Sequence, residues 1–190
     1  WKVLEARKEI IQWLKNDERV EIAASSLASM ADEESKQALL ELAEDESRGI
    51  LQRSAAVGAL TRLDPVKTSE LAAQVLVKAK TTQSAELIFE AYLSKEKSSE
   101  HLAAALSGKK LNADVAAAGV RKSLSSGGDT SQLVEALSES GSLQPIVNGL
   151  SDEEMKLLMS EVQSKGDAVR GENIYRKNQL LCQACHAIGG

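Results

Sequence analysis

Apolar residues recur every three or four positions along almost the whole chain, which is the spacing of one face of an α-helix. The pattern is clear in Val20, Ala23, Ala24, Leu27 and Met30. No segment shows the strict alternation of a half-buried strand, so the sequence predicts an all-α fold. The predicted helices span residues 2–16, 18–31, 34–45, 48–63, 65–79, 83–94, 98–107, 112–125, 130–139, 151–164 and 168–179.

Residues that start and end helices fall between these segments. Asp64 precedes Pro65, an N-cap followed by the one helical position where proline is favourable. Ser151 and Glu154 have the spacing of a capping box. Because the loops are short, consecutive helices are predicted to pack as antiparallel neighbours. Further caps are predicted at Asn112, Asp129 and Asp167, and helix ends at Gly127, Gly128, Gly141 and Gly166.

Short helices with alanine and leucine on the buried face favour an α-solenoid of stacked helix pairs over residues 1–165. Residues 46–65, ESRGILQRSAAVGALTRLDP, resemble the second half of a HEAT repeat: an arginine, small residues for close helix contact and a closing Asp-Pro. Residues 111–129 resemble it less closely. No strict repeat is visible, and a generic alanine-rich bundle is the alternative. On the apolar stripes, the side chains predicted to be buried are Leu60, Leu76, Ile88, Leu106, Val120 and Leu137.

Composition excludes several classes of protein. The 190 residues are 43% hydrophobic and 27% charged, as in an ordinary globular protein, and no apolar run approaches the length of a membrane span. The net charge of −5 and the mixing of acids with bases argue against nucleic-acid binding. No Ser-His-Asp set, phosphate-binding glycine loop or paired carboxylates is found, so we expect no catalytic site in this segment.

The chain changes character at Gly166, where GDAVRGENIYRKNQLLCQACHAIGG begins. We predict a domain boundary near residue 165, with a helical-repeat domain at 1–165 and a second region at 166–190. This region contains one capped amphipathic helix followed by Cys182, Cys185 and His186. These three residues are the candidate functional site.

The pentapeptide Cys182-Gln183-Ala184-Cys185-His186 has the CxxCH spacing of covalent haem attachment. Two thiols on adjacent turns can bond the two vinyl groups of one porphyrin, and the histidine can be the proximal ligand of the haem iron. A thioredoxin-like CxxC pair and half of a zinc site are the alternatives. The first lacks a βαβ context, and the second lacks further ligands, since the other histidine, His101, is predicted to be an ordinary residue of a helix face.

Residues 166–190 resemble the start of a class I cytochrome c domain. In that family Gly171 and Tyr175 would match the glycine and the aromatic residue of the first helix that pack on the last helix. The seven-residue spacing from Tyr175 to Cys182 is longer than in small mitochondrial-type cytochromes. Helical repeats running into such a start are similar to the large multidomain haem-binding proteins of Planctomycetes and Verrucomicrobia, often described as membrane-bound dehydrogenases.

This resemblance implies a periplasmic or cell-envelope redox protein that binds haem c and transfers single electrons. The repeats would be a scaffold that links a dehydrogenase-like domain to the cytochrome, and partners would be other domains of the polypeptide and a redox protein. The chain opens on WKVLEARK, so we expect a signal or anchor, if there is one, outside this segment. The alternative stays open that residues 1–165 are a protein-interaction scaffold and that Cys182 and Cys185 form a thiol redox or metal site.

Only four residues follow His186. Since a cytochrome needs further helices and usually a distal methionine, we expect this segment by itself to hold no haem and Cys182 and Cys185 to be thiols or a local disulfide. Met155 and Met159 precede the motif and are predicted to fill core. A face formed by Ala168, Gly171, Ile174 and Tyr175 is expected to dock on the last repeat helices or on another molecule.

Overall fold

A computed structural model describes residues 4–16, 19–95, 97–144 and 150–176 of the chain, and all regular structure within these ranges is helical. The predicted all-α class is therefore confirmed for them. A 3-10 turn at Leu4–Ala6 precedes the first helix. The helices are α1 (Arg7–Lys15), α2 (Val20–Met30), α3 (Glu33–Glu44), α4 (Ile50–Leu63), α5 (Pro65–Lys78), α6 (Thr82–Leu93), α7 (Ser98–Leu106), α8 (Ala113–Ser125), α9 (Ser131–Ser140), α10 (Asp152–Lys165) and α11 (Ala168–Tyr175).

Most of the predicted caps form. The Asp64 carboxylate accepts a hydrogen bond from the Lys67 main-chain N–H at 3.1 Å, and Pro65 is the first residue of α5. Asn112 caps α8 through two main-chain N–H groups. The prediction for Asp129 is wrong by one position: Thr130 is the N-cap residue of α9, and Asp129 accepts instead from Ser131.

Contacts between Cα atoms divide the chain into two compact units, residues 1–145 and 146–190. Helices α1 to α9 belong to the first unit, and α10 and α11 belong to the second. This division falls earlier in the chain than residue 165, where the change in sequence character led us to predict a domain boundary.

The first unit is built from two layers of helices. In the α2 layer, α2, α4, α6 and α8 each contact the next member, and in the α3 layer α1, α3, α5, α7 and α9 do the same. Consecutive helices contact each other across the layers from α1 to α7, and again between α8 and α9. Helix α4 packs against α2, α3, α5 and α6, so it lies at the centre of this unit.

The helices of each layer recur at a nearly constant interval. The α2 layer begins at residues 20, 50, 82 and 113, and the paired helices α3, α5, α7 and α9 begin at 33, 65, 98 and 131, so each interval is 30 to 33 residues. Four buried positions, i, i+1, i+4 and i+5, repeat within the α2 layer every 30 or 31 residues. They are Ala23, Ala24, Leu27 and Ala28; Ser54, Ala55, Gly58 and Ala59; Ser84, Ala85, Ile88 and Phe89; and Val115, Ala116, Gly119 and Val120.

The burial predictions are confirmed at five of the six positions tested and wrong at Leu60. Leu60 is half-buried, because it lies on the side of α4 that faces a surface groove between α3 and α5. The polar residues Arg53 and Thr61 are buried on the same helix. Arg53 donates from Nε to the Ala43 carbonyl at 2.8 Å, near the C-terminal end of α3, so its charge faces the negative end of a helix dipole.

Basic side chains link neighbouring helices on the surface of the first unit. Arg48 donates to the Lys15 carbonyl at 2.8 Å, and Lys95 donates to the Arg62 carbonyl at 2.5 Å. Each contact joins residues 33 positions apart. This separation matches the interval at which the helices of each layer recur. Exposed contacts of this kind add little to the free energy of unfolding. Their main effect is on the register of neighbouring helices. Side-chain ion pairs at similar separations join Lys78 to Glu46, Lys109 to Glu70 and Lys122 to Glu86 and Glu90.

Tyr92 connects α6 to the start of α5. Its side chain is fully buried, and the hydroxyl donates to the Pro65 carbonyl at 3.0 Å. Burial raises the pKa of Tyr92 to about 12, because the phenolate would be desolvated there. The folded state therefore holds this proton more tightly than the unfolded state, in which a tyrosine has a pKa of about 10.

We expect Tyr92 to make the free energy of unfolding depend on alkaline pH. The stabilisation is complete below about pH 10 and is lost as the pH rises from about 10 to 12, with a loss of about 1.4 kcal/mol by pH 11. Urea unfolding between pH 8 and 11 measures it. The Tyr92→Phe variant lacks the hydrogen bond, worth about 1 kcal/mol, at every pH. It has no phenol to ionise, so the alkaline loss of stability that comes from Tyr92 should be absent. Equal losses in the two proteins between pH 9 and 11 would contradict the assignment.

Candidate functional site

The predicted site residues Cys182, Cys185 and His186 lie outside the described residues. The described chain before them ends at Arg176, the residue after α11. The structure therefore describes the two helices that precede the motif, α10 and α11, and the helices of the first unit.

Helix α10 begins with the predicted capping box. The Ser151 hydroxyl accepts from the Glu154 main-chain N–H at 3.2 Å, and the Ser151 main-chain N–H donates to the Glu154 carboxylate at 2.9 Å. Hydrogen bonds from the Ser151 main-chain N–H and then from its hydroxyl lower the pKa of Glu154. Because these bonds lie within one turn, the start of α10 is fixed by local sequence.

The prediction that Met155 and Met159 fill core is wrong. Their side chains are 45% and 56% exposed, and no residue of α10 is buried. The helix itself was predicted correctly but its surroundings were not, because amphipathic spacing marks an apolar face without showing which surface covers it.

Helix α11 begins at the predicted cap. The Asp167 carboxylate accepts from the Arg170 main-chain N–H at 3.0 Å. A Cβ atom added to Gly171 would have no other atom within 4 Å, so this glycine lies in open space. Ile174 is exposed and Tyr175 is half-buried. The docking of this face on another surface stays a prediction.

The described residues contain no group of three or more histidine, cysteine or acidic side chains that could hold a metal ion. His101 is a half-buried residue of α7. No helix within the described ranges is both long and apolar enough to span a membrane. Neither finding bears on Cys182, Cys185 and His186, which these ranges do not include.

The first unit carries two sizeable surface grooves. One, of about 570 Å³, lies between α3 and α5 and has a floor of half-buried leucines with a charged rim. The other, of about 480 Å³, lies between the α6–α7 and α8–α9 loops, and most of the residues that line it are polar or charged. The first groove explains the exposure of Leu60. Its floor consists of Leu40, Leu60, Leu63 and Leu71, and its rim includes Glu33, Lys36, Asp64 and Lys67.

The charged groups of the groove between α3 and α5 already have partners. Lys36 pairs with Glu33 at 2.7 Å, and Lys67 pairs with Asp64 at 3.5 Å. Hydrogen bonding from the Lys67 main-chain N–H lowers the pKa of Asp64, which keeps this carboxyl ionised. Both lysines of the rim are therefore paired with acids of the same rim.

Comparison with known proteins gives no relative for this chain. It matches no protein-family model, and no curated protein and no solved structure matches it. The functional interpretation therefore depends on the chain's own residues.

Proposed function

We propose that the chain is part of a cell-envelope c-type cytochrome redox protein. The observation that carries the proposal is the Cys182, Cys185 and His186 motif directly after a capped helix. The donor set fits haem c, because two thiols three residues apart suit the two vinyl groups of a porphyrin and an adjacent imidazole suits the iron. Haem iron would supply reversible one-electron transfer.

The residues of the motif have separate tasks in this proposal. Cys182 and Cys185 would hold the group through two thioether bonds. His186 provides the proximal imidazole and a neutral nitrogen ligand for the iron. Gly171 supports the resemblance to a first cytochrome helix, because its open surface leaves room for another helix to approach closely.

The first unit is proposed to be a HEAT-like α-solenoid that acts as a scaffold. Two features support a solenoid over a generic bundle: each helix contacts the next-but-one helix, and the helix pairs recur every 30 to 33 residues. In the parent protein this scaffold would link a dehydrogenase-like domain to the cytochrome. An envelope location agrees with the motif, since haem c is attached by maturation enzymes of that compartment.

The experiment that tests the proposal is expression of the complete cytochrome region together with haem-maturation machinery. We expect haem to stay with the polypeptide on a denaturing gel and to stain there, because thioether bonds survive denaturation. Metal analysis of the same sample separates the alternatives. Stoichiometric zinc without covalent haem would contradict the proposal and indicate a metal site. Cysteines that carry neither zinc nor haem would contradict it and indicate a thiol redox pair.

A further inference from the structure

Helix α10 carries an apolar stripe that is exposed among the described residues. Met155, Leu158, Met159 and Val162 are 45%, 46%, 56% and 60% exposed. At 3.6 residues per turn they lie within about 100° of one side of the helix. The opposite side is polar except for Leu157, which is 71% exposed and about 150° from the centre of the stripe.

The stripe is symmetric about its own midpoint. The spacing of its residues is three, one and three, so the order of intervals is the same from either end. In an antiparallel pair of identical helices, Met155 would lie opposite Val162 of the other copy, and Leu158 opposite Met159. A surface with this property is complementary to itself under a twofold axis.

The charges of α10 favour the same arrangement. Its first turn contains Asp152, Glu153 and Glu154, and its last turn contains Lys165. Lys165 pairs with Glu161 of its own helix at 2.9 Å, so the C-terminal end of α10 is close to neutral. Antiparallel pairing therefore keeps the three acids of one helix away from those of the other, and it also opposes the two helix dipoles. A parallel pair would place the acidic ends together.

We propose that α10 is a homodimerisation element that pairs antiparallel with α10 of a second copy of this chain. A helix of 14 residues is about 21 Å long, and two of them bury less than the roughly 1,200 Å² of a stable interface. The dimer is therefore weak and reversible. The two chains leave α10 at opposite ends of the pair, and the proposal does not depend on haem binding.

Sedimentation equilibrium of the 190-residue chain, from about 5 to about 500 µM and with a thiol reductant present, tests this inference. We expect the average mass to rise with concentration from one chain of 20.3 kDa towards two. Leu158→Glu places a charge at the centre of the stripe and should weaken association at least tenfold. Leu157→Glu is the matched control, because it makes the same change at the adjacent exposed leucine, outside the stripe, and should alter association less than twofold.

Both variants change exposed side chains, so circular dichroism should show the same helix content in all three proteins. A wild-type chain that stays monomeric throughout the range would overturn the proposal, and it would mean that the stripe serves another surface or another protein. Equal weakening by the two variants, or none by Leu158→Glu, would overturn it as well.

Discussion

Replacing Gly58 with valine is expected to lower the free energy of unfolding of the first unit by about 3 kcal/mol. Gly58 lies on α4 where that helix meets α6, and a Cβ atom there would be 2.9 Å from the Leu87 main-chain oxygen. A main-chain atom cannot rotate away as a side chain can, so the two helices must separate. Because α4 also packs against three other helices, that movement disturbs the centre of the unit.

Urea unfolding followed by tryptophan fluorescence measures this effect, since Trp1 and Trp13 both belong to the first unit. Gly171→Val is the matched control, because a Cβ atom there meets nothing within 4 Å, and it should leave the transition unchanged. Gly58→Ala should be milder than valine, since the gain in helix propensity of about 1 kcal/mol offsets part of the clash. A valine variant within about 0.5 kcal/mol of the wild type would show that α4 and α6 have room to move.

Replacing both Cys182 and Cys185 with alanine is expected to abolish covalent haem attachment in the complete cytochrome region. Each sulfur forms one of the two thioether bonds, so the double variant has none. Expression with maturation machinery, a denaturing gel and a haem stain measure the loss. The expected result is no haem-stained band at a protein level equal to the wild type.

His101→Ala is the matched control for the cysteine variant. His101 lies on α7 in the first unit, so both variants are made in a polypeptide that contains the first unit and the complete cytochrome region. Replacement of His101 should leave the stained band at full intensity. A band that persists in the double cysteine variant would place the attachment elsewhere and remove the basis of the proposed function. Loss of the band in His101→Ala would show that a residue of the first unit is needed for attachment.

Local sequence predicted the helices well, because their starts depend on residues within one turn. Asp64 with Pro65, Ser151 with Glu154, and Asp167 all form the caps that their spacing indicates. The error at Asp129 is of the same local kind. Thr130 occupies the N-cap position but makes no side-chain cap hydrogen bond, and the Asp129 carboxylate accepts from the Ser131 main-chain N–H at the start of α9.

The recurrence of helix pairs every 30 to 33 residues is not visible in the sequence. Equivalent positions are all buried, but they are occupied by different residue types. Ala23, Ser54, Ser84 and Val115 are equivalent and buried, yet a search for identical residues does not connect them. Arg53 shows a related limit: its long side chain is buried where a carbonyl near the end of α3 accepts from it. That carbonyl belongs to the preceding helix, so the apolar period of α4 does not indicate it. For the candidate site, the spacing of Cys182, Cys185 and His186 is the whole of the signal.

The sequence by itself determined the class of fold, the positions of the helices and most of their caps, since each depends on residues within a few positions of one another. The chemistry proposed for the CxxCH motif depends on the same kind of local spacing. The tertiary structure decided which apolar faces are covered. Leu60 and Met155 lie on good amphipathic stripes, but the first borders a groove between α3 and α5 and the second lies on an exposed helix. Burial is a property of the contacts between helices, and those contacts join residues on different helices, beyond the reach of local periodicity.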